Sequence, residues 1–564
     1  MDLSELVAGL DVTCAANRGG PCRVCDITED SRTAVPGSLF IARKGLKADG
    51  KRFIQDAAAA GAVAVLTDDP DLAPPPGFRL PILFAANVPL VSALIAERFY
   101  GLPTRALKLS GVTGTNGKST ITYLIHQLMN HAAHRCGLIG TVLVDDGTEV
   151  ARASMTTPPA LELSRTFAVM KEAGCCAASI EVSSHALDQH RADALAFDVA
   201  VFTNLTGDHL DYHKTMDNYA AAKARLFELL PASGTAIVNA DDPWTPRMVR
   251  DCKARVWKCA LNAAPNEADP AGPDECRATV IEETMQGMLL AMEGPWGVIE
   301  AKVPLIGRYN AMNVLQAAAA CFAKGLAREQ LCAGLPELQA PPGRLQKVSR
   351  DDADDITVFV DYAHSDDSLG NCLASVAKVI PGRQHGGSLL RNAAGTYHAS
   401  PLPTRLGGGP ATGRLWVVFG CGGNKDTTKR PRMGAAAISH ADMVVVTSDN
   451  PRSERPSDII DQILEGIPHD QRDQRDQRDQ RDQRDQRDRV IVQADRGRAI
   501  RHAIEHATAG DVVVLAGKGH ENEQVIAGPD GTLVKVHFDD ADQARAALDA
   551  RRAHAAPRRA PRSQ

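Results

Sequence analysis

A chain of 564 residues, 44% of them hydrophobic and with a net charge of −6, has room for three or four domains of ~100–200 residues each. The negative balance argues against a nucleic acid held by bulk charge, and no apolar run approaches the ~18 residues that cross a bilayer. Neither nucleic-acid binding nor membrane insertion is expected. The first ten residues carry Asp2 and Glu5 and no basic stretch of the kind that opens an export signal. Thirteen cysteines lie without a framework; together these features suit a reducing cytoplasm. A monomer is expected. Cys22 and Cys25 form a lone C-x-x-C, which without a second pair reads as packing rather than zinc.

Residues 1 to about 105 mix short strands and helices, with a proline-rich connection at Pro74-Pro75-Pro76. The next segment is the most informative. An apolar approach at Ala106 to Ser110 turns through Gly111 and Gly114 into Gly114-Thr115-Asn116-Gly117-Lys118-Ser119-Thr120. Ile121, Leu124, Ile125, Leu128 and Met129 then mark one face of a helix. A strand, a glycine turn and a helix start gather backbone N–H groups and a positive dipole end around an anion. Lys118 adds a charge for outer phosphates, and Ser119 or Thr120 a hydroxyl for Mg²⁺. The spacing departs from Gly-x-x-x-x-Gly-Lys because position 112 is Val, yet the set reads as an ATP or GTP loop.

Downstream, fully apolar runs recur between helical stretches: Ser179 to Val182, Val199 to Phe202, Ala236 to Val238, then Thr357 to Val360, Trp416 to Phe419, Val444 to Val446 and Val512 to Leu515. Such runs predict parallel strands buried on both faces, hence two α/β domains after a smaller first one. Ligands of open α/β sheets sit beyond the carboxyl ends of the strands. Glu181-Val182-Ser183-Ser184-His185 and Thr203-Asn204 with Asp208-His209-Leu210-Asp211 follow two of these strands, and they predict a metal–nucleotide site. Two stretches break the rhythm: Gly382 to Gly413, and six repeats of Asp-Gln-Arg from Asp470 to Arg487, whose period of three matches neither helix nor strand. Both are expected to be irregular insertions, about 382–413 and 469–489, and residues 551–564 a solvated basic tail. Asn424-Lys425-Asp426 does not read as a guanine motif, since its Asp arrives one residue early.

Taken together, these motifs resemble the Mur ligases, ATP-dependent amino-acid ligases of peptidoglycan precursor synthesis. The resemblance adds Asn310-x-x-Asn313, Gly343-Arg344 and Val360-Asp361-Tyr362-Ala363-His364, and covers residues from about 25 to 550. It implies three domains: a UDP-sugar-binding domain over 1–105, a central parallel-sheet P-loop ATPase domain over 106–345, and a Rossmann-like amino-acid-binding domain over 346–550. Within the family the likeness is greatest to the diaminopimelate-adding members. The implied substrates are therefore ATP, UDP-N-acetylmuramoyl-L-alanyl-D-glutamate and meso-diaminopimelate, with Mg²⁺ as cofactor and an acyl phosphate as intermediate.

By the same resemblance, Gly114 to Thr120, Asn310, Asn313, Arg344 and Asp361 hold ATP, and Ser119, Thr120, Glu181 and His209 organise Mg²⁺. Lys223, which the sequence alone reads as a surface lysine, is implied to be carbamylated and to act at the metal. Lys118, His209 and Lys223 are the implied catalytic set. Ser31 (in Asp30-Ser31-Arg32), Thr156, Thr157, Ser183, Gln189 and Arg191 are implied to hold the muramyl dipeptide. Lys425, Asp449, Asn450, Pro451, Arg452, Gly517 and Glu521 are implied to hold diaminopimelate. Lys425 stands where the family usually has Arg, and Met155 where polar residues are common. The competing expectations are a ligase of the same architecture with another acceptor, lysine-adding or like folylpolyglutamate synthase, and a P-loop ATPase switch.

Overall fold

The computed structural model describes residues 1–15, 22–45, 48–72, 80–261, 271–381, 383, 413–468, 489–528 and 530–555. The Pro74-Pro75-Pro76 connection and the Asp-Gln-Arg repeat lie outside them, as does nearly all of the glycine-rich insertion. The chain forms two compact units. One holds Met1–Thr279, Leu290–Ala301 and Ala311–Leu338, and the other Val280–Leu289, Lys302–Asn310 and Gln339–Gln564.

The first unit contains two sheets. In the smaller, Asp26–Thr28, Ser38–Ala42, Ala64–Thr67 and Ile82–Phe84 run parallel, and Thr13–Ala15 closes one edge antiparallel. Helix Val88–Phe99 starts at Asn87, whose side chain accepts from Leu90 N, and packs Val88, Val91 and Ile95 into the core with Leu39, Ile41 and Leu66.

The larger sheet is built around strand Lys108–Thr113. Ala177–Glu181 pairs with it on one side and Phe197–Phe202 on the other, all parallel, with Val112 beside Glu181 and Thr113 beside Phe202. Cys136–Ile139 continues the first side, Thr235–Asn239 and Arg255–Leu261 the second. The chain leaves Lys108–Thr113 for one side and later returns to the other, so this strand sits at the switch of direction where α/β sheets bind ligands. The apolar runs expected as parallel strands occur as such. Helix Lys118–His131 buries all five residues of the expected face.

One expectation is corrected. Gly111 lies inside the strand rather than in the turn, and the reason is packing. A Cβ there would stand 2.6 Å from the Phe197 ring and 3.1 Å from Leu226 Cδ1, so only glycine lets those side chains close over the strand. Gly111→Ala is expected to cost about 1–3 kcal/mol by overpacking. An unchanged urea midpoint would show that Phe197 can swing aside.

The second unit carries a six-stranded sheet in the order Gln346–Lys347, Thr357–Asp361, Val512–Ala516, Leu415–Phe419, Met443–Val446, Val490–Val492, parallel except for the first pair. Apolar clusters cover both faces, as uninterrupted Val-rich strands require. Residues 551–555, expected as part of a solvated tail, are helical. Helix Asp540–Ala555 includes Arg551 and Arg552, because Arg551 grips Asp355 through two bonds of 2.7 and 2.8 Å and Arg552 pairs with Asp354. The flanks of the insertions are likewise held. Arg383 donates to Asp442 at 2.8 Å, and Arg489 to the carbonyls of Ala441 and Ile438. No helix among the described residues is long and apolar enough to cross a membrane.

Candidate active site

At the carboxyl edge of the larger sheet, strand Lys108–Thr113 passes into Gly114 (φ +146°) and Gly117 (φ +87°) before helix Lys118–His131 begins. Gly114 is demanded by contact as well as by torsion, since a Cβ there would lie 1.8 Å from Thr203 Oγ1. A Cβ on Gly117 would meet Asn313 Oδ1 at 2.7 Å, which places Asn313 against the loop.

The neighbouring strand end holds the loop in shape. Asn204 accepts from Thr115 N on its carbonyl (2.8 Å) and from Asn116 N on Oδ1 (3.0 Å), and its Nδ2 donates to Asn116 O (3.1 Å). Thr203 Oγ1 donates to the same carbonyl at 2.6 Å.

Two lysines meet beneath the loop. Lys118 Nζ donates to Gly114 O (3.0 Å) and Thr115 O (2.7 Å), and Lys223 Nζ donates to Gly114 O at 2.7 Å. Lys223 is not the surface residue its helical context suggests. It is 1% exposed, because helix Met216–Glu228 turns this face inward together with Tyr219, Leu226 and Phe227. Burial, and then the nearby charge of Lys118, hold its ammonium well below the usual lysine range. The Tyr219 ring lies 4.5 Å under Nζ.

His209 sits at φ +54° ahead of the short helix Leu210–His213, with Asp208 at 3.5 Å and the His185 ring 5.0 Å away. Burial lowers its pKa.

Glu181 is 1% exposed, and both carboxylate oxygens are engaged by Thr141, through N (2.7 Å) and Oγ1 (2.9 Å). Thr141 Oγ1 also shares a hydrogen bond of 3.0 Å with Thr156 Oγ1. Thr141 was missed by sequence reasoning, although it stands just beyond the apolar run Gly137-Leu138-Ile139, a position equivalent to the residues that were noticed. The donors at this edge, the buried Ser119 and Thr120 hydroxyls and the Glu181 carboxylate, are hard oxygens. Among the described residues no three His, Cys, Asp or Glu side chains converge as a cage. That set suits Mg²⁺, which keeps waters and phosphate oxygens in its own shell.

Of the residues expected for the dipeptide, Thr157, Ser183, Gln189 and Arg191 belong to one hydrogen-bonded group, whereas Thr156 meets Thr141 and Ser31 stands elsewhere. Thr157 Oγ1 donates to Glu181 O (2.7 Å) and accepts from Ser183 N (3.0 Å); Ser183 in turn caps helix Ser184–Asp188. Arg191 donates to Thr157 O (2.8 Å), to Gln189 Oε1 (2.7 Å) and to Met155 Sδ (3.3 Å). Burial and the charge of Arg43 lower the Arg191 pKa, while Glu29, paired with Arg43 at 2.6 Å, raises it. Neither Glu29 nor Arg43 had a sequence signal. Ser31 opens a separate turn, Ser31–Thr33, capped by Asp30, whose carboxyl is held at about 2 by Arg32.

In the second unit, the loops after Met443–Val446 and Val512–Ala516 carry Asp449, Asn450 and Arg452 on one side and Gly517 and Glu521 on the other. Asn450 Nδ2 donates to Glu521 Oε2 at 2.8 Å. Arg452 adopts φ +54° and donates through Nη1 to Gly423 O at 2.7 Å, against the loop that bears the exposed Lys425. Elsewhere in this unit Arg344 lies over the Tyr362 ring at 4.5 Å, and buried Asp361 accepts from Leu345 N (2.6 Å) and Ala363 N (2.8 Å). Burial raises the Asp361 carboxyl in spite of Arg344. Asn310, also buried, donates to Ile306 O at 2.7 Å.

Residues 24–99 match the Mur ligase family catalytic domain, 112–321 the Mur ligase middle domain and 404–519 the Mur ligase glutamate ligase domain. The chain is 40% identical to the UDP-N-acetylmuramoyl-L-alanyl-D-glutamate–2,6-diaminopimelate ligase of Synechococcus elongatus over 93% of its own length and 94% of that protein. It is 39% identical to the ligase of the same name from Gloeobacter violaceus over 98% and 99%. A solved structure of a ligase of that name superimposes with a TM-score of 0.63 at 28% identity, covering 98% of this chain and 99% of that one. Matched by three family segments and by relatives at about 40% identity along nearly its whole length, the chain belongs to the Mur ligase family.

Proposed function

We infer that this chain is an ATP-dependent ligase that joins meso-2,6-diaminopimelate to UDP-N-acetylmuramoyl-L-alanyl-D-glutamate in the cytoplasm, as a step of peptidoglycan precursor synthesis. The observation that carries the reading is the convergence of Lys118 and Lys223 on one carbonyl of a glycine loop at the start of a helix. Likeness to diaminopimelate ligases along nearly the whole chain supports the choice of substrates.

In this reading residues 1–105 bind the UDP-sugar, 106–345 bind ATP and 346–550 bind the amino acid. The D-glutamate side-chain carboxylate takes the terminal phosphoryl group of ATP and ADP leaves. An amine of diaminopimelate then displaces phosphate from the acyl phosphate, loses a proton and forms the amide. Two anions must meet, so the protein's task is positioning and positive charge. Loop N–H groups and Lys118 hold the phosphates, with Asn310, Asn313, Arg344 and Asp361 on the nucleotide as well. Mg²⁺, when bound, offsets phosphate charge, and Ser119, Thr120, Glu181 and His209 would hold it. Lys223 is desolvated, so part of it is a neutral amine able to take up CO₂ as a carbamate, which would give the metal side a carboxylate. Thr156, Thr157, Ser183, Gln189 and Arg191 orient the dipeptide, and Ser31 meets the uridine nucleotide.

Phosphate release measured with the UDP-dipeptide, with and without diaminopimelate, tests the reading: release should require both. Phosphate released without an amino acid would favour an ATPase switch. Equal turnover with lysine would remove the specificity assignment. Meso-diaminopimelate differs from lysine by one distal carboxylate, and Arg452 is the planar cation assigned to it. Arg452→Ala should raise the KM for diaminopimelate by roughly thirtyfold, about 2 kcal/mol for one hydrogen-bonded charge pair, with the KM for ATP nearly constant. A normal KM for diaminopimelate in that variant would show that another group reads the carboxylate.

A further inference from the structure

Lys518 is fully buried and belongs to no role assigned so far. It stands on the loop that carries Gly517 and Glu521, and its side chain reaches the loop that carries Asp449 and Asn450. Its Nζ donates to Glu523 O at 2.5 Å, to Asn450 Oδ1 at 3.2 Å and to Glu521 Oε2 at 3.5 Å, with Asp449 Oδ1 at 3.6 Å. A buried ammonium needs such compensation, but here the compensation also fixes its partners. Asn450 Oδ1 accepts from both Lys518 and Val525 N (3.0 Å), so its amide can face only one way, with Nδ2 turned to Glu521 Oε2. One oxygen of Glu521 is thereby occupied. Asp449 is more than nine-tenths buried, and its Oδ1 has no hydrogen-bond donor in reach, only the Lys518 charge. A buried carboxylate oxygen left in this state is an acceptor that a ligand can complete.

We propose that Lys518 is a positioning residue for the amino-acid substrate: it orients Asn450 and Glu521 and half-neutralises the Asp449–Glu521 pair, so that the site receives one substrate ammonium in a fixed place. This rests on the reading of the site as the diaminopimelate site. Without Lys518, the Asp449 carboxylate loses the cation 3.6 Å from Oδ1, the partly exposed Glu521 loses the one 3.5 Å from Oε2, and the Asn450 amide is held at Oδ1 by Val525 N alone.

The test is steady-state kinetics of the full chain with Lys518→Met, and with Lys518→Gln as a milder variant should the first fail to fold. The KM for diaminopimelate should rise roughly tenfold or more, as for loss of one partner of a buried charge pair, while the KM for ATP stays within about twofold. A structural defect alone would not produce that split. A double-mutant cycle supplies the second readout. If Lys518 acts through Glu521, Lys518→Gln should cost much less in a Glu521→Gln background than in the wild type. Equal changes in both Michaelis constants, a normal KM for diaminopimelate, or additive effects overturn the proposal. Failure of the wild type to ligate diaminopimelate at all would instead overturn the substrate reading.

Discussion

Lys118→Ala should lower ligation by at least ~10²–10³-fold, the usual scale for removing one preorganised charge from a transferring group, while the protein stays folded. The fold should survive because the Gly114 carbonyl keeps its bond from Lys223 and the loop keeps its clamp from Asn204. Catalysis should not survive, because Lys223 is no substitute. It is wholly enclosed, bound to the carbonyl beneath the loop, and its cationic form is disfavoured by burial. Ligation rate and thermal midpoint measured on the same preparation check both halves. Near-normal turnover in a folded Lys118→Ala protein would remove the phosphate-loop assignment.

Lys223→Met is expected to have opposite effects on activity and stability. If the amine carries the carbamate, its loss should abolish ligation to a similar degree, and ¹³C-bicarbonate should give the wild type a carbamate resonance that the variant lacks. Stability should rise. The Lys223 pKa is depressed in the folded state, so between the folded value and the ordinary one near 10.4 the unfolded chain binds more protons and stability increases with pH. In CO₂-free buffer at neutral pH the uncarbamylated wild type therefore carries the cost of an ill-placed ammonium, and a methionine of similar length does not. The thermal midpoint of the variant should exceed that of the wild type at pH 7, with the gap narrowing as pH approaches 10. A lower midpoint at pH 7 would mean that the Lys223–Gly114 bond matters more to the fold than its desolvation costs.

The parallel strands were legible because each is an uninterrupted apolar run, and helix Lys118–His131 because its face repeats at helical spacing. Candidate site segments stood out in the sequence where their residues are contiguous: the glycine loop from Gly114 to Thr120, the Asp449 to Arg452 turn and the Gly517 to Glu521 loop. What escaped depends on partners far away in the chain. Gly111 looks like a turn glycine until Phe197 is seen to lie across it. Lys223 looks solvated because its own helix is alanine-rich, and its partner is a loop carbonyl 109 positions earlier. Thr141 matters through Glu181, forty residues on. Arg551 and Arg552 look like a loose basic tail because Asp354 and Asp355, their partners, sit about two hundred positions away.

The clamp of Asn204 on the phosphate loop has a thermodynamic consequence. Fixing one residue's backbone costs roughly 1–2 kcal/mol of conformational entropy, and in a slack loop that cost would fall on the nucleotide at the moment of binding. Here Thr115 and Asn116 are tied through their own N–H and C=O groups to the adjacent strand end. The ordering is completed when the chain folds, and a ligand at this loop would meet a backbone already fixed by Asn204 and Thr203, so little conformational entropy remains to be lost there.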